Sequence, residues 1–463
     1  MKLKGFVFVV LLATVPSLTA AQETKPSASP ASGGNGIAPQ EVSAPSSPEL
    51  SPNIVPSPGG IQTSKIRLTL AELETMAEKH NPTLAQAAAR VQAARAQYLQ
   101  VGLYPNPVIG YQGTEMGNEG RAGQQGGFVG LEIVTAGKLQ LNRAVANQEI
   151  RLAESFWAVQ RFRVLTDVRR SFYDVLIAQR TVELAEQLLG ISERGVKAAE
   201  DLLKAEEVAR VDVLQAKIEN DSAKIVLDKA RHRYAAAWRN LVAVVGNPAL
   251  QPAPLDGDLL DNIPQLTWEE ALNRLLAESP QLAAAQAGVA RAQAALNREC
   301  AGRFPNVDLQ ASVQHDNATG DTTAGVQIGV PIPIYNRNQG NIAKAQAELV
   351  AAQQEVRRVR LALEQRLAAV FEQYATAYHR VDKYRRDILP NAEESLRLVS
   401  AGYQQGEFGY LVLLTAQRTY FQTYLDYLEA VRELRAATAM LEGYLLCDSL
   451  QSGETATVGL SDN

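Results

Sequence analysis

Residues 168–203 read VRRSFYDVLIAQRTVELAEQLLGISERGVKAAEDLL. Val168, Val175, Val182, Leu189 and Val196 recur every seven residues, and three places after each stands a small residue: Ser171, Ala178, Ala185, Ser192 and Ala199. This is a coiled-coil seam with one row large and the other small, which lets helices approach closely. No proline falls between Val108 and Asn247. Lys138 to about Leu203 is therefore predicted to be one helix, about 100 Å long at about 1.5 Å per residue. Ordinary globular domains do not contain such helices. A second stretch repeats the pattern: Ile342, Leu349, Val356, Leu363, Val370 and Ala377, beside Ala345, Ala352 and Val359. Pro390 is the expected kink or interruption in that helix.

The two stretches belong to a duplication. Leu68-Thr69 and Pro82-Thr83-Leu84-Ala85 return as Leu266-Thr267 and Pro280-Gln281-Leu282-Ala283, Pro105-Asn106 as Pro305-Asn306, and Val213-Leu214-Gln215-Ala216 as Leu413-Leu414-Thr415-Ala416. A period of about 200 residues exceeds any solenoid repeat and points to duplication of a whole structural half. The expected organisation is a first repeat over 65–250, a second over 251–447 and a flexible tail over 448–463. Each half runs short helix, helix, two short strands, very long helix, turn, long helix.

Ahead of the repeats, residues 1–21 read as a secretory signal: Lys2 and Lys4, an apolar run from Phe6 to Val15, and the small residues Thr19-Ala20-Ala21. The run is too short for a spanning anchor, and no cysteine follows the cleavage site to accept a lipid. Residues 22–64 hold eight of the 21 prolines among Ser, Ala and Gly. They are expected to be a disordered linker, because such a composition buries too little to offset the entropy of ordering.

Composition excludes several function classes. The 463 residues carry 45 Lys+Arg against 50 Asp+Glu, a net charge of −5, without the basic excess of a nucleic-acid binder. Two cysteines, Cys300 and Cys447, make neither a disulfide scaffold nor a multi-thiolate metal site, and both are expected to be free. His80, His232, His315 and His379 lack metal-ligand spacing, and four methionines make no copper ladder. Gly130 to Lys138 is no P-loop, since Glu132 stands where the first glycine belongs. No Ser/His/Asp constellation suggests a nucleophile.

The strands carry the complementary signal. Val307, Leu309, Ala311 and Val313 alternate with Asp308, Gln310, Ser312 and Gln314. Ala324, Val326, Ile328, Val330 and Ile332 alternate with Gly325, Gln327, Gly329 and Pro331. In the first half Ile109 and Tyr111 alternate with Gly110 and Gln112, and Val129, Leu131 and Ile133 with Gly130 and Glu132. Each run suits a tilted membrane-spanning strand, and Gly-rich polar loops, Thr114 to Gly126 and His315 to Thr323, join each pair. A hairpin packed on a soluble core would alternate in the same way. Against that, the flanking helices already use their apolar faces on one another. Four strands cannot close a barrel, and open edges are not tolerated in lipid. Three copies would supply twelve strands with polar faces inward, and their helices would pack into a second, helical tube.

The duplicated halves, the junction Ile133-Val134-Thr135-Ala136-Gly137-Lys138 and its counterpart Pro331-Ile332-Pro333-Ile334-Tyr335-Asn336-Arg337 resemble the TolC-type outer-membrane efflux proteins over Leu68 to Leu446, with a likeness to their heavy-metal branch. The resemblance implies a chain that is mainly α with a small β part. Its duplicated long-helix coiled-coil hairpins form a trimeric α-barrel in the periplasm. Four β-strands per chain complete a twelve-stranded transmembrane β-barrel in the lipid of the outer membrane. The implied function is the exit duct of a tripartite efflux pump, passively conducting small molecules or ions outward. The implied partners are a periplasmic adaptor (membrane fusion) protein and an inner-membrane transporter of RND type, and the heavy-metal branch implies metal ions as cargo. No catalysis and no cofactor, resident metal or nucleic acid is expected.

By the same resemblance the helix-hairpin tips form the periplasmic entrance, meet the adaptor and hold the closed state through contacts between protomers. The tip residues are Glu206, Glu207, Arg210 and Asp212 in the first half, and Tyr403, Gly406, Glu407 and Gly409 in the second. Asp212 matches an acidic gate position and Tyr403 a gate tyrosine. Val412 and Thr415 stand where second-half entrance aspartates would be, so a cation-selective constriction of that type is not expected unless Glu407 substitutes. Gly406 and Gly409 are read as permitting the tight turn, and a solvated turn is the plain alternative for each charged residue. The alternative to the whole reading is a soluble periplasmic coiled-coil scaffold or adaptor, which would need no detergent and conduct nothing.

Overall fold

The two halves start alike because their first helices are capped alike. The Thr69 hydroxyl accepts from the Glu72 N–H while the Glu72 carboxylate accepts from the Thr69 N–H, opening α1 (Leu70–His80). Thr267 and Glu270 do the same for α5 (Trp268–Glu278). Proline then sits in the first turn of α2 (Pro82–Gln100) and of α6 (Pro280–Ala301), where its missing N–H costs nothing. The structure, a computed structural model, describes residues 67–117, 122–261, 263–405 and 407–451. The expected signal peptide and linker, Gly406 and the tail beyond Gln451 lie outside the described residues.

The long helix α3 runs unbroken over Lys138–Lys204, 67 residues, and α4 (Arg210–Val245) returns along it. Ala178, Ala185, Ser192 and Ala199 of the small row are all buried, against Ala216, Ala223, Leu227 and Ala230 of α4. The large row is fully buried only at Val168 and Val175, where α1 and the 250–260 segment add a further layer. Small residues meeting small residues is what allows the two backbones to lie close over this distance.

In the second half α7 (Gln339–Lys383) leads into a π-helical turn, Tyr384–Ile388, and then α8 (Leu389–Gln404), with α9 (Tyr410–Glu442) returning. The interruption expected at Pro390 takes this form. The ring removes the N–H that would bond the Arg386 carbonyl and crowds that carbonyl, and one widened turn relieves both.

The halves meet in a waist of two apolar clusters, one around Phe172, Leu176, Trp238 and Leu241, the other around Leu363, Leu367, Val431 and Leu434. Arg435, 4% exposed, pins the segment between the repeats by donating to the carbonyls of Leu259 at 2.7 Å and Asp261 at 2.5 Å, and its guanidinium lies 4.3 Å from the centre of the Tyr173 ring. The residues just past Cys447 are docked rather than loose: the Asp167 carboxylate accepts from the backbone N–H groups of Asp448 at 3.0 Å and Ser449 at 2.6 Å. Cys300 and Cys447 are both free thiols.

Strands β1 (Val108–Thr114), β2 (Gln124–Ile133), β3 (Val307–Asp316) and β4 (Thr322–Gly329) form one antiparallel sheet in the order β1-β2-β3-β4. They reach further into the polar loops than side-chain alternation predicts, because the ladder needs only backbone groups. β4 instead stops at Gly329, short of the predicted Ile332, since Pro331 has no N–H to donate. The register aligns Ile109, Val129, Ala311 and Val326 across the sheet, and on the same face Leu131, Leu309 and Ile328. Val326, Ile328 and Ile109 are largely uncovered, so this apolar face has no partner within the described chain. The other face carries Gln112, Gln310, Ser312, Gln314 and Gln327.

Candidate functional site

The first tip is built by the way α3 ends. Glu207 donates its N–H to the Leu202 carbonyl at 3.0 Å and Glu206 to the Leu203 carbonyl at 3.1 Å, with Glu206 in the left-handed region at φ 62°. Asp212 opens the returning helix by accepting the Ala209 N–H at 3.1 Å. Glu206, Glu207 and Arg210 are exposed and Asp212 is half-buried. Arg210 lines a shallow groove between the helices with Glu200, Leu203, Lys204, Val213 and Lys217.

The second tip repeats the turn: Glu407 donates its N–H to the Gly402 carbonyl at 2.8 Å. The Phe408 ring lies where a side chain on Gly402 would go, 2.5 Å from a Cβ there. Gly409 has extended dihedrals, φ −75° and ψ 160°, with open space beside it. Its backbone would suit any residue, so the turn does not depend on this glycine in the way the sequence suggested.

The two tips are joined within one chain. Tyr410, the first residue of α9, packs into the apolar cluster of Ala199, Val213 and Ala216, with Val196 and Leu203 beside it. The Tyr403 ring centre is 6.2 Å from that of Tyr410. Burial raises both phenols above the ordinary tyrosine value, and carboxylates add to it, Asp212 at Tyr403 and Glu219 at Tyr410. Further along, the Arg418 Nε donates to both oxygens of Glu219 at 3.2 Å, and the Glu219 side chain is only 13% exposed.

Of the expected tip residues, Tyr403 lies near Tyr410 and feels the Asp212 charge, whereas Glu206, Glu207, Arg210 and Glu407 form no ion pair among the described residues. Sequence reasoning missed Tyr410, Glu219 and Arg418. A signal for the ion pair was present: the alignment of Val213 with Leu413 sets Arg418 almost level with Glu219. No group of three or more His, Cys, Asp or Glu among the described residues is placed to hold a metal ion. The Cys447 thiol, pushed up to about 11 mainly by burial, stays protonated and donates to Asp448 at 3.2 Å.

Paired hairpins of this length, a four-stranded sheet apolar on its uncovered face and a second copy of the whole arrangement are matched by one family profile, that of the outer membrane efflux proteins, over residues 73–247 and again over 271–445. The chain belongs to the outer membrane efflux protein family. It is similar to the cobalt-zinc-cadmium resistance protein CzcC of Cupriavidus metallidurans, with 28% identity over 405 residues, 86% of this chain and 96% of that protein. Among solved structures it is similar to CusC (TM-score 0.66, 20% identity, 84% of this chain and 95% of the other). It is also similar to the open state of the MtrE channel of Neisseria gonorrhoeae (TM-score 0.64, 22% identity, 81% and 88%). The efflux family supplies the partner that the sheet lacks: copies of the chain, assembled as a trimeric outer-membrane channel that works with pump components. Its members are channels of tripartite efflux pumps and not enzymes, which removes the soluble-scaffold alternative.

Proposed function

We propose that this channel is the outlet of a metal-cation pump, gated at the hairpin tips and engaged there by a periplasmic adaptor that couples it to an RND-type inner-membrane transporter. The observation that carries the cargo is the similarity to CzcC, whose name states cobalt, zinc and cadmium resistance, over nearly its full length. In this reading residues 1–21 are removed on export and no lipid is attached. Residues 22–64 form a linker ahead of the halves 65–250 and 251–447, and residues 448–463 form the C-terminal tail.

Gating follows from what the tips are made of. Glu206, Glu207, Arg210, Glu407 and the neighbourhood of Gly406 and Gly409 are the adaptor-facing surface. Asp212, Tyr403, Tyr410 and the Glu219–Arg418 pair hold one hairpin against the other until the adaptor binds. Outward movement of the second hairpin separates these groups and widens the entrance, with energy supplied by the inner-membrane partner. The duct itself needs no metal-binding cluster, because a passive conduit must release what it carries.

Co-expression with the cognate adaptor and transporter, in cells lacking their own outlet, tests the cargo. Tolerance to cobalt, zinc or cadmium should rise and cell metal content fall. Restored drug tolerance with unchanged metal content would overturn it.

A further inference from the structure

The sheet's two ends differ in charge. Residues 101–107, 134–137, 302–306 and 330–338 join the strands to the helices, and they contain Arg303 and Arg337 but no acidic residue. Among the described residues, the hairpin connections at the opposite end contain Glu115 and Asp321 and no Lys or Arg. The helix-side end is also where exposed rings collect: Tyr104, Phe304 and, at 91% exposure, Tyr335, beside Ile332 and Ile334.

Two of these connections touch. The Asn338 Nδ2 donates to the Glu299 carbonyl at 2.8 Å and lies 2.5 Å from where a Gly302 Cβ would be. Arg303 and Arg337, next in sequence to Gly302 and Asn338, are therefore carried on adjoining stretches of backbone. The Arg303 guanidinium lies 5.2 Å from the centre of the Phe304 ring. Neither arginine forms an ion pair among the described residues, because the nearby acids are engaged or turned away. Glu299 pairs with Arg298 at 2.7 Å, Glu132 accepts from Asn306 at 2.6 Å, and Glu132 and Asp308 lie opposite each other on the polar face of the sheet.

We propose that Arg303 and Arg337, flanked by Phe304 and Tyr335, bind the phosphate of anionic phospholipid headgroups in the leaflet nearest the helices. A ten-residue strand such as β3, tilted about 40°, covers about 25 Å along the membrane normal, the height of a barrel's apolar band. The rings and guanidinium groups then fall at the boundary between acyl chains and headgroups, where aromatic side chains partition. Arginine is suited to the planar, two-pronged recognition of a phosphate. The occupant is a lipid rather than a peptide, since the patch continues the uncovered apolar face of the strands. The acidic hairpins at the other end are repelled by the same headgroups, so the site also helps fix which way the barrel sits.

The test is lipid retention by the full-length trimer in mild detergent, read by native mass spectrometry against phosphatidylglycerol and phosphatidylcholine of identical chains. Each arginine at an anionic surface contributes about fivefold in partitioning, so about tenfold or greater preference for phosphatidylglycerol is expected. R303Q/R337Q should abolish the preference, bringing phosphatidylglycerol retention down to that of phosphatidylcholine while trimer mass is unchanged, and R303K/R337K should keep part of it. Equal retention of both lipids by the unmodified protein would overturn the proposal, as would an undiminished preference in R303Q/R337Q. Displacement of the lipid by inorganic phosphate would mark a free-phosphate site instead. The trimer mass in the same spectra reports on channel assembly separately.

Discussion

Glu219 and Arg418 carry more of the tip than their neighbours because one of them is sheltered. A fully exposed ion pair contributes little, but Glu219 is shielded, with 13% of its side chain exposed, and removing its partner leaves a poorly solvated charge. Arg418→Ala is therefore expected to raise the resting conductance of the reconstituted trimer several-fold, whereas Arg210→Ala at the exposed rim should leave it near the unmodified value. Planar-bilayer recording distinguishes the two, and equal conductances would remove the pair from the gate. The tyrosines give a pH signature. Tyr403 and Tyr410 are raised above the ordinary value by burial and then by Asp212 and Glu219. Their neutral forms are thus favoured in the folded tip. The stabilisation is fully present below the unfolded value of about 10 and is lost as pH rises through the higher folded values. Conductance should stay flat through neutrality and increase only in strong alkali, and Tyr403→Phe with Tyr410→Phe should flatten that increase. At this scale the sequence was partly legible. Asp212 and Tyr403 could be singled out by resemblance, but Tyr410 looks like any helix-start residue until the cluster around Val213 shows what it fills.

The helices differ between the halves for a reason that lies in one residue type. Without an internal proline, α3 stays unbroken through 67 residues, while Pro390 forces a π-helical turn into its counterpart. Beyond that turn α8 buries no large side chain among the described residues, in contrast to the packed lower half of α3. Low burial means low local stability, which suits the second hairpin to be the one that moves. The first hairpin depends instead on its small row. Ala223→Leu, at a position 2% exposed, should overpack the seam and cost about 1–3 kcal/mol. Differential scanning calorimetry of the detergent-extracted trimer would register that loss, and an unchanged transition would show that the helices are not in close contact there. The seven-residue spacing announced both helices. It did not announce which row would be buried more deeply, because both rows satisfy the same period and only the partner helix selects between them.

For the whole molecule, the decisive surface is the one the chain cannot cover alone. Val129 lies in the apolar row with Ala311 and Val326, and the next register position, Gly130 with Gln310 and Gln327, belongs to the opposite face. Val129→Arg places a charge in the middle of the lipid band and should cost about 2–4 kcal/mol, seen as loss of trimer from outer-membrane extracts. Gln310→Arg, facing the lumen, should assemble normally and shift the reversal potential toward anions. Normal assembly of Val129→Arg with loss of trimer in Gln310→Arg would mean that the faces are assigned the wrong way round. Periodicity by itself determined the long helices, the alternating strands and the duplication, because these are local patterns that repeat along the chain and are set by backbone geometry. It also required other copies, since four strands leave two open edges. Only the tertiary structure decided which tip side chains meet, how Pro390 is accommodated, how Arg435 pins the segment between the halves, and that the connections carrying Arg303 and Arg337 adjoin. Those contacts join residues far apart in the chain, and no local period encodes the distance between them.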